Sequence, residues 1–438
     1  MKIKMRKFKF ILFFMILGLG LKPLYSQDST MVLSLDKAIE YALQNNKVIQ
    51  NARFSSQVAK EKIWETTAAG LPQISASVDY NNFLGAQAEL RLSESAPPAI
   101  IEFNPTSNFK FNVSQLVFSG SYYIGLQLSK LASQLSEISA KKTELDVKEQ
   151  VTRAYYLILI SEQTLKIIES NRDNSIVILE KTKNLANAGI IEKTEVSKLL
   201  VMVTSVENAQ KAAERQLEMA YNMLRFQLGV NSGVIIKLGT SLTEISQQSK
   251  FETAMVSQFN IDNNTDFNLV LMQEKMRKSQ ISLEKASYLP TLGAYYSYTQ
   301  KLLKPKFDMT PKNVVGLSLS IPILSSGLRH SKVSQAKINF NIAENSRELV
   351  NQQLTIQEKQ LRFNLNNLIE QYQNQKINIE TAKEVLDKMN LKFQQGIVSS
   401  LELTSANSSY LSAESGYITT LFQLLDAELS LRKLNGNL

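Results

Sequence analysis

Residues 184–195 read NLANAGIIEKTE, and residues 391–402, 207 positions further on, read LKFQQGIVSSLE. In that register Gly189 falls on Gly396, Ile190 on Ile397 and Glu195 on Glu402. Outward from this pair, Gly120 and Gly229 recur as Gly327 and Gly436, Ala220 as Ala427, and Leu224-Arg225 as Leu431-Arg432, all without a gap. Two copies of so long a unit make a duplicated half-molecule, because solenoid modules run to only roughly 20–50 residues. The 68 residues between Gly120 and Gly189, and the 68 between Gly327 and Gly396, contain no proline. At 1.5 Å per residue such a segment makes a helix of roughly 100 Å, far longer than ordinary domains use.

Periodicity supports the helix. In the second copy Leu361, Leu365, Leu368, Tyr372, Ile379, Ala382, Leu386, Met389 and Phe393 follow one another at three- and four-residue steps, with Gln375 the polar member. A stripe sustained over four heptads is a coiled-coil seam. Val196, Leu199, Val203 and Val206 mark a returning helix after Gly189. Gly189 and Gly396 suit the left-handed position that ends a helix, and Ser399 with Glu402 resembles a capping box for the return. Each copy is therefore read as a long antiparallel helical hairpin turning at Gly189 or Gly396, and the fold class as mainly α with β.

The remaining segments change period. Ser34-Leu35-Asp36 opens an amphipathic helix, and a helical pattern runs from Val48 to about Ala69 before Gly70-Leu71-Pro72 breaks it. Ile74, Ala76, Val78 and Tyr80 then alternate with polar residues, as do Phe109, Phe111 and Val113 after a proline-containing loop. Copy two repeats the event: Leu289-Pro290, then Leu292 to Tyr298, then a loop over 301–313, then Val315 to Ile323. Each run is about nine to eleven residues, the length of a tilted transmembrane strand. A small soluble β-cap is the plainer reading, but the strands are aromatic. Four strands cannot close a barrel, and a membrane tolerates no open edge, so spanning strands require several chains.

Residues 1–26 read as a signal peptide: a basic start through Lys9, an apolar run Phe10–Leu21 and a small residue, Ser26, before Gln27. The run is too short for a membrane anchor. The formal charge of +9 falls to about +3 without Lys2, Lys4, Arg6, Lys7, Lys9 and Lys22, which removes the basis for nucleic-acid binding. The expected division is 1–26 signal peptide, 27–229 first repeat, 230–264 linker or equatorial segment, and 265–438 second repeat.

This order of elements resembles the TolC family of outer-membrane efflux proteins. Ser34-Leu35-Asp36-Lys37-Ala38 resembles the family's opening helix, and Leu71-Pro72 and Leu289-Pro290 its helix-to-strand prolines. Val117-Phe118-Ser119-Gly120 and Ile323-Leu324-Ser325-Ser326-Gly327 are similar to its strand-to-helix motif. Ala188-Gly189-Ile190 and Gln395-Gly396-Ile397 sit at its helix-tip signature. The resemblance implies a homotrimer, with a twelve-stranded barrel in outer-membrane lipid and a twelve-helix α-barrel across the periplasm. It implies tips that dock, through Gly189, Ile190, Gly396 and Ile397, onto a periplasmic adaptor serving an inner-membrane pump or secretion ATPase. Family members narrow the periplasmic aperture with acidic rings; Glu402 matches the first such position, and Ser405 stands at the second. Glu402 thus has two readings, aperture and helix cap, and Glu195 fits a cap in copy one.

Enzymatic readings find little support. There is no cysteine, and the single His330 has no metal-spaced partner. Neither a phosphate-binding glycine loop nor a nucleophile elbow is present. No cofactor or metal is expected, His330 reads as a surface residue, and Trp64 as interhelical packing. The Ser, Asn and Gln of the helices suit solvated or lumen-facing positions. The expected function is the exit duct of a tripartite efflux or type I secretion system. The alternative is a periplasmic coiled-coil scaffold without a pore.

Overall fold

The computed structural model describes residues 30–91, 98–248, 251, 258–304 and 310–438, so the expected signal peptide lies outside the described residues. Strand β1 (Thr30–Leu33) leads to helices α1 (Leu35–Asn45) and α2 (Lys47–Ala68). The chain then runs through β2 (Gln73–Asn81), the short strands β3 (Gln87–Leu90) and β4 (Ala99–Glu102), and β5 (Thr106–Ser119). The long helix α3 (Gly120–Asn187) and the returning α4 (Lys193–Leu228) complete the first copy. Between the copies lie β6 (Ile235–Leu238), α5 (Leu242–Gln248) and a 3₁₀ turn at Ile261–Asn263. The second copy comprises α6 (Thr265–Ala286), β7 (Thr291–Leu303), β8 (Asn313–Ser320), α7 (Leu328–Gln394) and α8 (Ser400–Leu434).

The seam read from the second copy is the packed edge of α7. Leu365, Leu368 and Leu386 are buried there, and the other seam residues are half-buried between exposed neighbours. Gln375 is accommodated because it faces Gly416 on α8, where a Cβ would stand 3.3 Å from its side-chain oxygen. Three residues away the rings of Tyr372 and Tyr417 stack at 5.3 Å, with their hydroxyls 2.9 Å apart.

Both returning helices end as their long partners do. Gly189, Gly229, Gly396 and Gly436 all have φ near +70°. At each one the next residue's N–H reaches back to the carbonyl five residues earlier, as Ile190 does to Leu185 at 3.0 Å and Ile397 to Lys392 at 2.9 Å. This is the Schellman ending, which satisfies carbonyls that the helix leaves open.

The ends of α4 and α8 abut the starts of α2 and α6. Asn46 caps α2 by accepting from the Val48 and Ile49 amides, and donates to the Gln227 carbonyl at 2.7 Å. Asn264 repeats this on α6, accepting from Asp266 and Phe267 and donating to Leu434 at 2.9 Å. Two shorter helices therefore lie end to end along each long one. Here the copies are 218 residues apart rather than 207, as are Leu71-Pro72 and Leu289-Pro290. The difference lies between β2 and β5, where β3 and β4 pair antiparallel in a segment expected to be plain loop. Around this joint the main core draws on both copies, and Tyr155 is fully buried in it. The Tyr155 hydroxyl donates to the Leu33 carbonyl at 3.0 Å and accepts from the Thr240 amide at 3.1 Å, tying the parallel β1–β6 pair to α3.

The larger sheet has the order β2-β5-β7-β8, antiparallel throughout. Its strands depart from the expected uniform length: β5 has 14 residues and β7 13, with a register shift at Leu116/Phe118, while β8 has 8. The fourth strand was expected to reach Ile323 but stops at Ser320, because Pro322 has no N–H to place in a ladder. Trp64 does not pack between helices of the chain; it is 61% exposed.

Candidate functional site

The helices form a single layer that follows the order of the strands. Near the sheet α2 packs on α3, α3 on α6 and α6 on α7; farther away α4, α3, α8 and α7 pack in the same sequence. The layer and the sheet both have two open edges among the described residues: α2 with α4 and β2 on one side, α7 and β8 on the other.

The register gives the sheet two unlike faces. Val78, Phe109, Phe111, Val113, Tyr296, Tyr298, Val315, Leu317 and Leu319 share one face, since cross-strand partners and alternate residues point the same way. Ser77, Asp79, Asn108, Lys110, Asn112, Ser297, Thr299 and Ser318 share the other. On this polar face Asp79 accepts from Asn108 at 2.9 Å and pairs with Lys110 at 3.3 Å, and Ser297 donates to Asn112 at 2.7 Å. The first face also carries Gln115, Gln300 and Asn313, and the second Leu116, Tyr295 and Val314, so the division is mostly apolar against mostly polar, the pattern of a sheet between lipid and water.

At the other end the two hairpin tips lie side by side. Ile178, Leu179, Leu199 and Val203 of the first hairpin share a core with Leu386, Leu403 and Ala406 of the second. A recess of about 450 Å³ at the very end is lined by Lys181, Asn184 and Leu185 with Phe393, Gln394 and Gly396. Ile190 and Ile397 project outward, 67% and 65% exposed. Around Gly189 and Gly396 an added Cβ would meet nothing within 4 Å. Those two glycines therefore serve backbone geometry alone, whereas a Cβ on Gly229 or Gly436 would strike a carbonyl at 2.8 or 2.5 Å.

Glu402 forms the capping box with Ser399. Its Oε2 accepts from the Ser399 amide at 2.8 Å while Ser399 Oγ accepts from the Glu402 amide at 3.2 Å. The Ser399 amide, and then its hydroxyl, hold the Glu402 carboxyl below the usual range. Copy one lacks this box. Glu192 occupies the cap of α4 with no side-chain cap hydrogen bond, because its longer side chain does not fold back as serine does. Glu195 instead accepts from Lys198 at 2.7 Å, which pushes the ammonium pKa up.

The family model described as outer membrane efflux protein matches residues 38–230 and 258–437, most of the chain. The chain belongs to the outer membrane efflux protein family. The TolC outer membrane protein of Escherichia coli K12 is 21% identical over 424 residues, covering 92% of this chain and 82% of TolC. The Campylobacter jejuni CmeC outer membrane channel matches with a TM-score of 0.73 at 15% identity, over 92% of this chain and 85% of CmeC. The Neisseria gonorrhoeae MtrE channel, in its open state, gives 0.73 at 16% identity over 92% and 88%. Family membership sets aside the scaffold alternative. In an outer-membrane efflux protein such a division of faces suits a sheet at the lipid boundary.

Sequence reasoning overlooked one set of residues in this efflux protein. Leu349, Ile356, Phe363, Ile377 and Leu391 stand at seven-residue multiples on α7 and are all 56% or more exposed. They lie opposite the seam that faces α6 and α8, along the open edge of the layer. Phe54 and Val58 on α2, with Val201, Met219 and Phe226 on α4, lie opposite their own seam with α3, along the other edge. The signal was a single apolar residue per heptad, visible only once the phase of the main seam is known.

Proposed function

We propose that three copies close into one duct, pairing β8 with β2 of the next copy and α7 with its α2 and α4. The observation that carries this reading is the match of two open edges: unpaired strands at one level and complementary apolar stripes at the next. Buried, these stripes contribute the association energy; exposed, they are an aggregation hazard. Size favours three copies over two. Two copies would give eight strands, whose interior side chains fill, while twelve leave room for a conduit. Trp64 lies beside the proposed contact, which accounts for its exposure.

The duct is a passive exit path from the periplasm. Its free end, built from Gly189-Ile190 and Gly396-Ile397, docks a periplasmic adaptor that links it to an inner-membrane pump or secretion ATPase. Two exposed isoleucines per chain, each presented by a rigid Schellman turn, offer an apolar contact repeated six times around the ring. Glu402 lies one turn into α8 behind this contact, and its charge faces the entrance while its oxygens cap the helix.

Membrane fractionation with chemical crosslinking tests the reading. The expected result is a heat-sensitive trimer in the outer membrane. A soluble periplasmic monomer would overturn it.

A further inference from the structure

The exposed face of α8 departs from what surface helices usually carry. Between residues 405 and 419 its exposed positions are Ser405, Ser408, Ser409, Ser412, Ser415 and Thr419, and none is charged. Solvent-facing helix surfaces are ordinarily rich in charge, and serine and threonine are mediocre helix formers, so helix stability does not explain the choice. The neighbouring α7 has the same property along one column from Gln353 through Gln360, Asn367 and Asn374 to Thr381, at seven-residue steps and all exposed; the next step is Lys388, ion-paired with Glu384, and Lys392 follows it on the same side. Charge on α7 is not scarce. Glu348, Lys359, Lys376 and Lys383 are exposed on its other faces.

Chirality fixes which way these faces look. The Thr299 amide donates to the Lys312 carbonyl at 2.8 Å, toward β8. Thr299 belongs to the polar face of the sheet. For an L-residue pointing at the viewer on a strand that runs upward, the backbone N–H and C=O point right. Seen from the water side, with the loops up, β8 is therefore to the right of β7, and α7 to the right of α6 and α8. α7 descends as a right-handed helix with its seam on the left. The column about a quarter-turn behind that seam, Gln353 to Thr381, then faces the axis, and Lys376, Lys383 and Asn390 face outward. A groove lined by Leu128 of α3, Arg277 of α6 and Asn339 and Ser346 of α7 opens on the same axial side. Near the tip, Asn174 and Ile178 of α3 approach Asn407 of α8 beside Asn390, on the outward side. α3 thus covers α8 from outside and leaves its hydroxyl face toward the axis.

We propose that this surface is the pore-facing wall of the second hairpin, a lining free of charge from Gln353 to Thr381 on α7 and from Ser405 to Thr419 on α8, with Glu402, Lys388 and Lys392 as the charges at its entrance. A fixed wall charge would hold an oppositely charged solute and repel a like one, and low-dielectric walls strengthen both effects. Hydroxyls and amides exchange their hydrogen bonds with water at little net gain. Cargo of either charge therefore passes this wall without being retained. The inference rests on the ring of three copies proposed above.

The chain has no cysteine, so single-cysteine variants report one position each. Purified trimers in planar bilayers would carry Ser412→Cys or Lys376→Cys and be treated with sulfonate- or trimethylammonium-bearing methanethiosulfonates. At Ser412→Cys both reagents should lower single-channel conductance, the anionic one raising cation preference and the cationic one reducing it. Lys376→Cys should change neither. Glu402→Gln, which keeps the capping hydrogen bond, should move the reversal potential in a salt gradient toward anion preference. A response at Lys376→Cys with none at Ser412→Cys would overturn the assigned faces. A reversal potential unmoved by Glu402→Gln would overturn the charge-free wall. A preparation that never forms channels would overturn the ring reading itself.

Discussion

Phe363 offers the sharpest test of how the copies meet. It sits midway along the open edge of α7, 71% exposed in the single chain. A phenylalanine side chain carries about 200 Å², so roughly 140 Å² is available for a neighbouring copy to cover. With half of that covered, at about 25 cal/mol per Å², each seam gains roughly 1.5–2 kcal/mol. The ring repeats the contact three times, which makes about 5 kcal/mol per trimer. Phe363→Ala should therefore lower the temperature at which trimers dissociate in detergent, with helicity of the chain unchanged. Phe363→Glu should do so more strongly, since it also leaves an unpaired carboxylate in an apolar seam. Lys376→Gln, on the outward face of the same helix, is the control and should behave as the parent. Electrophoresis with and without heating reads trimer content, and circular dichroism reads folding. Trimers of Phe363→Glu that resist heat as the parent does would refute the seam, and with it the pairing of α7 with α2 and α4.

At the tips, Gly189→Val and Gly396→Val meet no neighbour within 4 Å, so each incurs only the left-handed backbone penalty of about 1–2 kcal/mol. Export should fall at normal trimer level; loss of trimer would mark a folding role, and unchanged export in both would remove the glycines from docking. Gly436→Ala should instead destabilise the whole chain, because its Cβ would stand 2.5 Å from the Asn263 carbonyl, and heat denaturation would show it. Epitope tags beside Pro98 and Pro305 should bind antibody on intact cells, since both loops join strands within a pair; a protected tag would mean the orientation is reversed. Glu402 has a lowered carboxyl pKa, so its capping contribution is full above the ordinary carboxylate range and is lost as pH falls through the lower folded value. Protection factors at the start of α8, taken relative to the intrinsic exchange rate at each pH, should fall on acidification in the parent and stay flat in Glu402→Gln.

Much of the fold could be read from residues because the duplication supplied its own control. A seam seen once in 361–393 could be chance; glycines recurring in step with it fix the turns, and the structure places all four at positive φ. Strand existence was legible from alternation, but strand ends were not. Alternation continued through Ile321 and Ile323, whereas Pro322 removed the amide that pairing needs. The capping box was legible in the second copy, where serine precedes glutamate by three. It failed in the first because a matching Glu195 cannot substitute for the missing short hydroxyl at Glu192.

The edges of the protomer were written in the sequence in a form that needs the fold to decode. One apolar residue per heptad, as in Leu349, Ile356 and Phe363, is indistinguishable from scatter until the seam sets a phase. Once Leu365 and Leu368 mark the seam with α8, Leu349, Ile356 and Phe363 fall on the opposite side, and Val201, Met219 and Phe226 likewise lie opposite the seam of α4. The same phase separates lysines from amides around α7, which composition alone had lumped together as solvated polar residues. A helix in a ring has four environments, two neighbours, an outside and an axis, and each selects different chemistry. In α7, from Gln353 to Thr381, these are apolar, apolar, charged and neutral polar respectively. That fourfold division is what a water-filled ring demands, and an isolated hairpin with a single packed face would have no reason to keep it.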